Sequence, residues 1–383
     1  MKKKFLMDNF DDIRCFTDNE YLEVAERLAK VDVLMNAIKL YHPELTPEHV
    51  RTWLLSCQSI IQFQKEIVSS TILKAIEETI KGITFENFEN IEKNKQYVFM
   101  SNHRDIVLDS AFINYGLIHN GFDGCEIAIG SNLLQIPWVK DLVRLNRSFV
   151  VQRNLPNQEM LAASIKLSEY IQYVLNVKKQ SVWIAQREGR AKDGNDKTNP
   201  GLLKMFVLSA KTDLFQHLMN MNIMPVSISY EYDPCDAMKL HELMAKANGE
   251  TYVKKPNEDY VHILTGIQGL KGNVKLSFCT PLNKKISQLS SIHNRNELLK
   301  NVAQILDEEI QQHYQLWPNN YISYDLLNNS TNYATHYSEK EKNDFLDYIS
   351  KKLKSVDLEN NEQARKILLE MYANPLKNKF KLV

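Results

Sequence analysis

The segment Ser101-Asn102-His103-Arg104-Asp105-Ile106-Val107-Leu108-Asp109 follows directly on the apolar run Tyr97-Val98-Phe99-Met100 and sets an imidazole close to two carboxylates. A histidine whose tautomer is held by a carboxylate can take a proton from a hydroxyl and tolerate the charge that results. His103 with Asp105 or Asp109 is therefore a candidate general base. The competing reading makes Asp105 a helix cap and turns Asp109 to solvent.

A second apolar run, Val182-Trp183-Ile184-Ala185, ends in Gln186-Arg187-Glu188-Gly189-Arg190-Ala191-Lys192. Arg187, Arg190 and Lys192 supply clustered positive charge, and Gly189 lets backbone come close to a ligand. That suits a phosphate, whose oxygens a planar guanidinium can hold in pairs. A solvated charged loop is the plainer alternative. A third run, Ser148 to Val151, delivers Arg153, and a fourth, Ile223 to Tyr230, carries Pro225 early, which points to an edge or an irregular start. A base at one strand end and cations at two others are what a phosphate-bearing alcohol needs.

The elements that must position these groups change character along the chain. Leu22, Ala25, Leu28 and the stretch to Ile38 form a helical stripe. Thr46-Pro47-Glu48 then opens a second helix with a cap, a proline in the first turn and an acid at the positive end of the dipole. Residues 1–90 thus read as a helical N-terminal module. From 91 to 285, short apolar runs alternate with helical stretches near 106–117, 134–144, 158–177, 201–218 and 236–247, the pattern of an α/β domain with a mostly parallel central sheet. Residues 286–383 read as a helical extension, interrupted where Pro318-Asn319-Asn320 stops a helix and an asparagine-rich loop runs to 337. Ser338-Glu339-Lys340-Glu341 is a capping box that restarts it.

Composition narrows the classes. The chain has 383 residues with 47 basic and 47 acidic side chains, so no global field draws it to nucleic acid or to an anionic membrane. Its 5 cysteines are scattered without C-x-x-C spacing, which argues against a disulfide framework or a zinc site and fits a reducing cytoplasm. Met1-Lys2-Lys3-Lys4-Phe5-Leu6-Met7-Asp8 meets acids too early for a signal peptide. No window has the length of apolar sequence that a membrane-spanning helix requires. The absence of a G-x-S-x-G elbow argues against a serine hydrolase.

In their order, the four strand-end blocks resemble the glycerolipid acyltransferase superfamily, which includes glycerol-3-phosphate and lysophosphatidate acyltransferases. Asn102-His103-Arg104 with its following aspartate is similar to the family's His-x-x-x-x-Asp motif. Leu133 through Pro137 to Phe149 and Arg153 is similar to its second block. Glu188-Gly189-Arg190 followed by Pro200-Gly201-Leu202-Leu203 resembles the third, and Met224-Pro225-Val226-Ser227-Ile228-Ser229-Tyr230-Glu231 the fourth. The sequence departs from the pattern in three places. Leu108 stands where the aspartate is expected, with Asp105 and Asp109 on either side; Asp109 is favoured because a turn could return it to the ring. The residue between Gly189 and Arg190 is missing, and Gly130-Ser131-Asn132-Leu133 lacks the usual lysine and glutamate.

The resemblance implies direct acyl transfer with no covalent enzyme intermediate, no bound cofactor and no metal. His103 would be the base. Arg153, Arg187, Arg190 and Lys192 would grip the acceptor phosphate, with Glu188 and Gly189 shaping the turn. The donor would be an acyl-acyl carrier protein or acyl-coenzyme A, and the acceptor glycerol 3-phosphate or lysophosphatidate. A lyso-aminolipid acceptor or a catalytically silent homologue at the membrane surface are the alternatives. The expected location is cytoplasmic, peripheral on the inner face of the membrane. Candidate lipid contacts are Trp138 with Leu133, Leu134 and Ile136, or the tail Lys377 to Lys381, although core packing for the first and a frayed terminus for the second are the stronger readings.

Overall fold

The structure is a computed structural model that describes residues 9–210, 213–356 and 361–382. The start Met1 to Asp8 lies outside the described residues. The chain opens with helices α1 (Tyr21–Ala29), α2 (Asp32–Tyr41), α3 (Pro47–Ser56), α4 (Ile60–Phe63) and α5 (Ser69–Ile76). Thr46 caps α3 as its sequence suggests, accepting from the His49 backbone N–H at 3.2 Å with Pro47 in the first turn.

Next come β1 (Ile80–Glu86), β2 (Val98–Ser101), α6 (Leu108–His119), β3 (Cys125–Gly130), α7 (Pro137–Leu145), β4 (Ser148–Val151), α8 (Asn157–Tyr173) and β5 (Ser181–Ala185). The sequence continues through α9 (Pro200–Phe206), α10 (Leu214–Asn220), β6 (Ile223–Tyr230), α11 (Asp236–Ala247), α12 (Glu258–Gln268) and β7 (Gly272–Phe278). It ends with α13 (Asn283–Ser287), α14 (Arg295–His313), α15 (Pro318–Asn328), α16 (Glu339–Lys354) and α17 (Asn361–Phe380). No helix among the described residues is long and apolar enough to cross a membrane.

The strands form one 7-stranded sheet in the order β1-β7-β6-β2-β5-β3-β4. β2 to β6 run parallel, and β7 is antiparallel to β6. Strands β2 and β6 are buried at every position because both faces of the sheet are covered there. One apolar cluster under α8, α9 and α14 fills one face; a second, built around Phe99, Phe112 and Phe278, fills the other. Chain order reverses around β2, since β6 lies on one side of it while the connection through α6 leads toward β3 on the other. The carboxyl ends of β2, β5 and β6 therefore meet at a switch point, where open α/β sheets present their sites.

The structure corrects four expectations. Residues 80–86 belong to the sheet, with β1 pairing parallel to β7, so the boundary drawn at 90 falls before Ile80. β1 is half exposed along its length, which leaves no apolar run to betray it. β6 is interior, not an edge. Its Pro225 carbonyl accepts from the Cys279 N–H at 2.9 Å just beyond the last residue of β7, so the missing proline N–H faces the end of a neighbour and breaks no ladder.

Pro318 starts a helix instead of stopping one. Asn320 folds back to accept from the Trp317 N–H at 2.7 Å, and the first part of the asparagine-rich stretch, to Asn328, becomes α15, while the rest up to Tyr337 is turn with one short 3-10 segment. The basic tail is not frayed, because α17 runs through Phe380 and Lys379 Nζ donates to the Tyr314 carbonyl at 2.7 Å. Of the apolar residues near α7, Leu134 is buried and Trp138 packs on the N-terminal helices, while Ile136 stays exposed.

Candidate active site

β2 ends at Ser101, and the residues after it are fixed by backbone partners from both neighbouring strands. Asn102 extends the sheet with its side chain: Nδ2 donates to the Ile228 carbonyl and Oδ1 accepts from the Ile228 N–H, both at 2.8 Å. The His103 carbonyl accepts from the Ala191 N–H at 3.0 Å. The first block is thereby tied to the fourth and the third.

Asp105 and Asp109 do different things. Asp105 Oδ1 accepts from the N–H groups of Val107 at 3.0 Å and Leu108 at 2.8 Å, which caps the first turn of α6. That turn swings Asp109 back under the histidine. Asp109 Oδ2 lies 2.8 Å from His103 Nδ1 and accepts from the N–H groups of Arg104 at 2.6 Å and Asp105 at 3.0 Å. Its Oδ1 accepts from the Tyr230 hydroxyl at 2.9 Å. The single extra residue relative to the family spacing is absorbed in this turn.

An ionised Asp109 makes His103 Nδ1 the protonated nitrogen and leaves Nε2 as a lone-pair acceptor. The ring packs edge-on against Trp183 at 5.9 Å between centroids, and Trp183 is itself held by Nε1 donating to Ser101 Oγ at 3.0 Å. Burial, together with the neighbouring Asp109 charge, pushes the Asp105 carboxyl above its ordinary range. Burial beside Asp109 likewise holds the Tyr230 phenol well above its usual value, so it stays a donor.

Beneath the turn lies an ion network invisible to local spacing. Arg104 Nη2 donates to Asp196 Oδ2 at 2.5 Å, and its guanidinium stands 5.6 Å from the centre of the Tyr314 ring. The buried Lys239 ammonium donates to the Arg104 carbonyl at 3.0 Å and pairs with Asp233. Burial raises the Asp196 carboxyl against the pull of Arg104. The C-terminal helices brace the same loop, with Asn374 Nδ2 donating to the Asp193 carbonyl at 2.7 Å.

The cations are distributed unevenly. Arg153 Nη1 pairs with Glu188 at 2.5 Å, joining the second block to the third. Gly189 has φ +68°, a left-handed turn residue with open space at its Cβ position. Arg187 is half-buried without an ion pair among the described residues, and Lys192 pairs with Glu242 at 2.9 Å. Arg190 is buried; Nη2 contacts His262 Nδ1 on α12, and Nη1 has no partner. Burial, then the charge of Arg190, lowers His262 to about 4, so this contact joins a cation to a neutral ring.

Helix α12, absent from every sequence block, roofs the site. A Cβ built on Gly266 would lie 2.0 Å from Asp105 Oδ2, so only glycine fits there. Gly266→Ala is expected to destabilise the fold by about 1–3 kcal/mol through overpacking. Urea unfolding measures this, and an unchanged midpoint would show that α12 does not seat on Asp105. Among the described residues one group could hold a metal: the ligand atoms of Cys279, Glu309 and His313 lie within 4.8 Å of one another. Lys285 already pairs with Glu309 there at 2.5 Å.

The description Acyltransferase belongs to the family model that matches residues 82–231, the stretch from β1 to just past β6. Among solved structures, the 1-acyl-sn-glycerophosphate (LPA) acyltransferase PlsC from Thermotoga maritima is similar at 16% identity and a TM-score of 0.35, covering 77% of this chain and 97% of that one. No curated protein matches this chain. Residues 82–231, the sheet with the crossover helices that carry the candidate site, are thus similar to the acyltransferase family.

Proposed function

We propose that the protein transfers a fatty acyl group from a thioester to a hydroxyl of glycerol 3-phosphate or lysophosphatidate, with His103 as general base. The observation that carries this reading is the Asp109 carboxylate. It is fixed by Tyr230 and two backbone N–H groups so that one oxygen meets His103 Nδ1, and Nε2 is left for the substrate hydroxyl. Nε2 takes the hydroxyl proton as its oxygen attacks the thioester carbon, and returns it to the departing thiolate. The oxyanion formed at that carbon needs hydrogen-bond donors close by. Acyl carrier protein and coenzyme A both present the thioester on phosphopantetheine, so either serves as donor, and the protein works from the cytoplasmic face of a membrane.

Arg190, Arg153, Arg187 and Lys192 form the acceptor's anion site in this reading, with Glu188 and Gly189 shaping its turn. The orphan Arg190 Nη1 supports it, since a buried guanidinium nitrogen without a partner is costly to leave unmatched. Arg190→Lys keeps the charge and loses the fork, and is expected to raise the KM for a phosphate acceptor about 10-fold or more with a smaller change in kcat. Steady-state acyl transfer over an acceptor series measures this. An unchanged acceptor dependence removes Arg190 from the site.

One observation favours a second reading. Arg153 is paired to Glu188 and Arg190 Nη2 is turned onto His262, so each guanidinium already has one partner. An acceptor without a phosphate monoester, such as a lyso-aminolipid, would leave those contacts in place. Labelled acyl transfer to glycerol 3-phosphate, lysophosphatidate and a lyso-aminolipid in parallel decides between the two, and no transfer to any of them overturns both.

A further inference from the structure

Of Arg187, Arg190 and Lys192, only Arg190 is buried, and the side chain that holds it comes from outside the matched residues 82–231. Arg190 Nη2 contacts Nδ1 of His262, in the middle of α12. Arginine has no acceptor, so Nδ1 must be the lone-pair nitrogen and the ring carries its proton on Nε2. Nε2 faces the Glu258 carboxylate, one turn earlier on the same helix, at 3.9 Å. That is too long for a hydrogen bond, yet near enough for the negative charge to favour a proton on that nitrogen.

Each part of this chain of contacts is pinned. Glu258 Oε2 accepts from the Tyr252 hydroxyl at 2.7 Å and from the Lys255 N–H at 3.0 Å. Burial disfavours the charge, but those bonds outweigh it and hold the carboxyl below its ordinary value. The His262 carbonyl accepts from Cys235 Sγ at 3.4 Å, and Gly266 seats the next turn of the helix on Asp105. Asp105 Oδ2, under the same helix, has no partner, so that carboxyl does not hold the guanidinium. Arg190 is thus fixed through one terminal nitrogen while the other, Nη1, stays buried and unmatched. A guanidinium whose plane is set and whose second nitrogen is free is preorganised for an anion.

We propose that His262, kept in its Nε2–H form by Glu258, is the positioning residue of the acceptor site: it occupies Nη2 of Arg190 and so presents Nη1 to a phosphate monoester. The proposal rests on the reading of Arg190 as an acceptor-binding residue. In this role His262 touches neither the acceptor nor the thioester, and it keeps its proton throughout.

Isothermal titration with glycerol 3-phosphate and with a short-chain, water-soluble lysophosphatidate reads the site without donor or turnover. His262→Ala should weaken binding of the phosphate acceptor about tenfold, and His262→Asn, whose amide oxygen can stand where Nδ1 was, should recover most of that loss. Glu258→Gln leaves the imidazole and its packing in place and should weaken binding by a smaller factor, because only the preference for the Nε2–H form is lost. In transfer assays His262→Ala should raise KM with a smaller change in kcat. In an Arg190→Ala background it should add less than about twofold, since a residue that acts through Arg190 then has nothing left to position.

Native affinity in His262→Ala or in Glu258→Gln, equal losses in His262→Ala and His262→Asn, or additive losses with Arg190→Ala would each overturn the proposal. A native chain that binds neither phosphate acceptor overturns it as well. Binding that depends on His262 with no transfer to any acceptor sinks the enzyme reading alone, and transfer with unaltered phosphate affinity in His262→Ala sinks the positioning role alone.

Discussion

His103→Ala is expected to lower kcat for acyl transfer by about 10^3- to 10^4-fold, the upper range of what one positioned proton acceptor supplies. The loss is chemical, not structural. The imidazole stands at a strand end with its backbone held independently by Ala191, and its main side-chain contacts are Asp109 and one edge of Trp183. Removing it deletes little buried apolar surface, so the melting temperature should stay within a few degrees of the native value. Single-turnover transfer from a labelled acyl thioester, read beside thermal unfolding, separates the two quantities. Turnover above about a tenth of native would show that the hydroxyl proton goes elsewhere, because a lost general base costs at least about 10^2-fold.

Much of the site was legible because it is built from strand ends. A short apolar run followed by a polar turn marks a carboxyl end, and three such turns contain His103, Arg153 and Arg190. What local spacing cannot carry is contact across the sheet. Arg104 reads as a loop cation until Asp196 is found facing it from 92 positions along the chain. Tyr230 reads as a core aromatic until its hydroxyl reaches Asp109. His262 sits in a helix whose apolar residues lie on more than one side, with Val261 and Leu264 exposed and Ile267 against the core, so periodicity alone does not place it. β1 was missed for a related reason, since a half-exposed edge strand containing Lys81 and Gly82 gives little period-two signal.

The placement of the cations also bears on how the site is kept ready. Arg104, Asp196, Lys239 and Asp233 are buried within one network, and such networks hold geometry more than they add stability. Lys239 reaches the carbonyl of the residue after His103, so the network fixes the backbone that carries this imidazole. Asn374 and Gln311 brace the Asp193–Asp196 loop from α17 and α14, at 2.7 and 3.2 Å. The C-terminal extension is therefore part of the support for the site, and not a separate appendage.

The two aspartates beside the base should separate sharply on substitution. In Asp109→Asn, one acceptor oxygen must replace two, yet the original carboxylate receives His103 Nδ1, the Arg104 and Asp105 N–H groups and the Tyr230 hydroxyl. The amide NH2 then meets a donor on one side or the other. Either the ring turns over to the tautomer with Nδ1 as acceptor and its proton on Nε2, or Tyr230 loses its acceptor. The expected result is a fall in kcat of about 10^3- to 10^4-fold, as when a base is left in the wrong tautomer. A stability loss of about 1–3 kcal/mol should accompany it, the cost of a buried donor left unmatched.

Asp105→Asn keeps the one oxygen that caps α6 and changes only Oδ2, which has no partner and whose burial already disfavours charge. Its kcat should remain within about tenfold of native, because the cap and the His103–Asp109 pair are both retained. Measuring kcat and urea midpoints for both variants under identical conditions decides the assignment. An Asp105→Asn enzyme as impaired as Asp109→Asn would mean that the carboxylate under α12, and not the one bonded to the imidazole, governs the base.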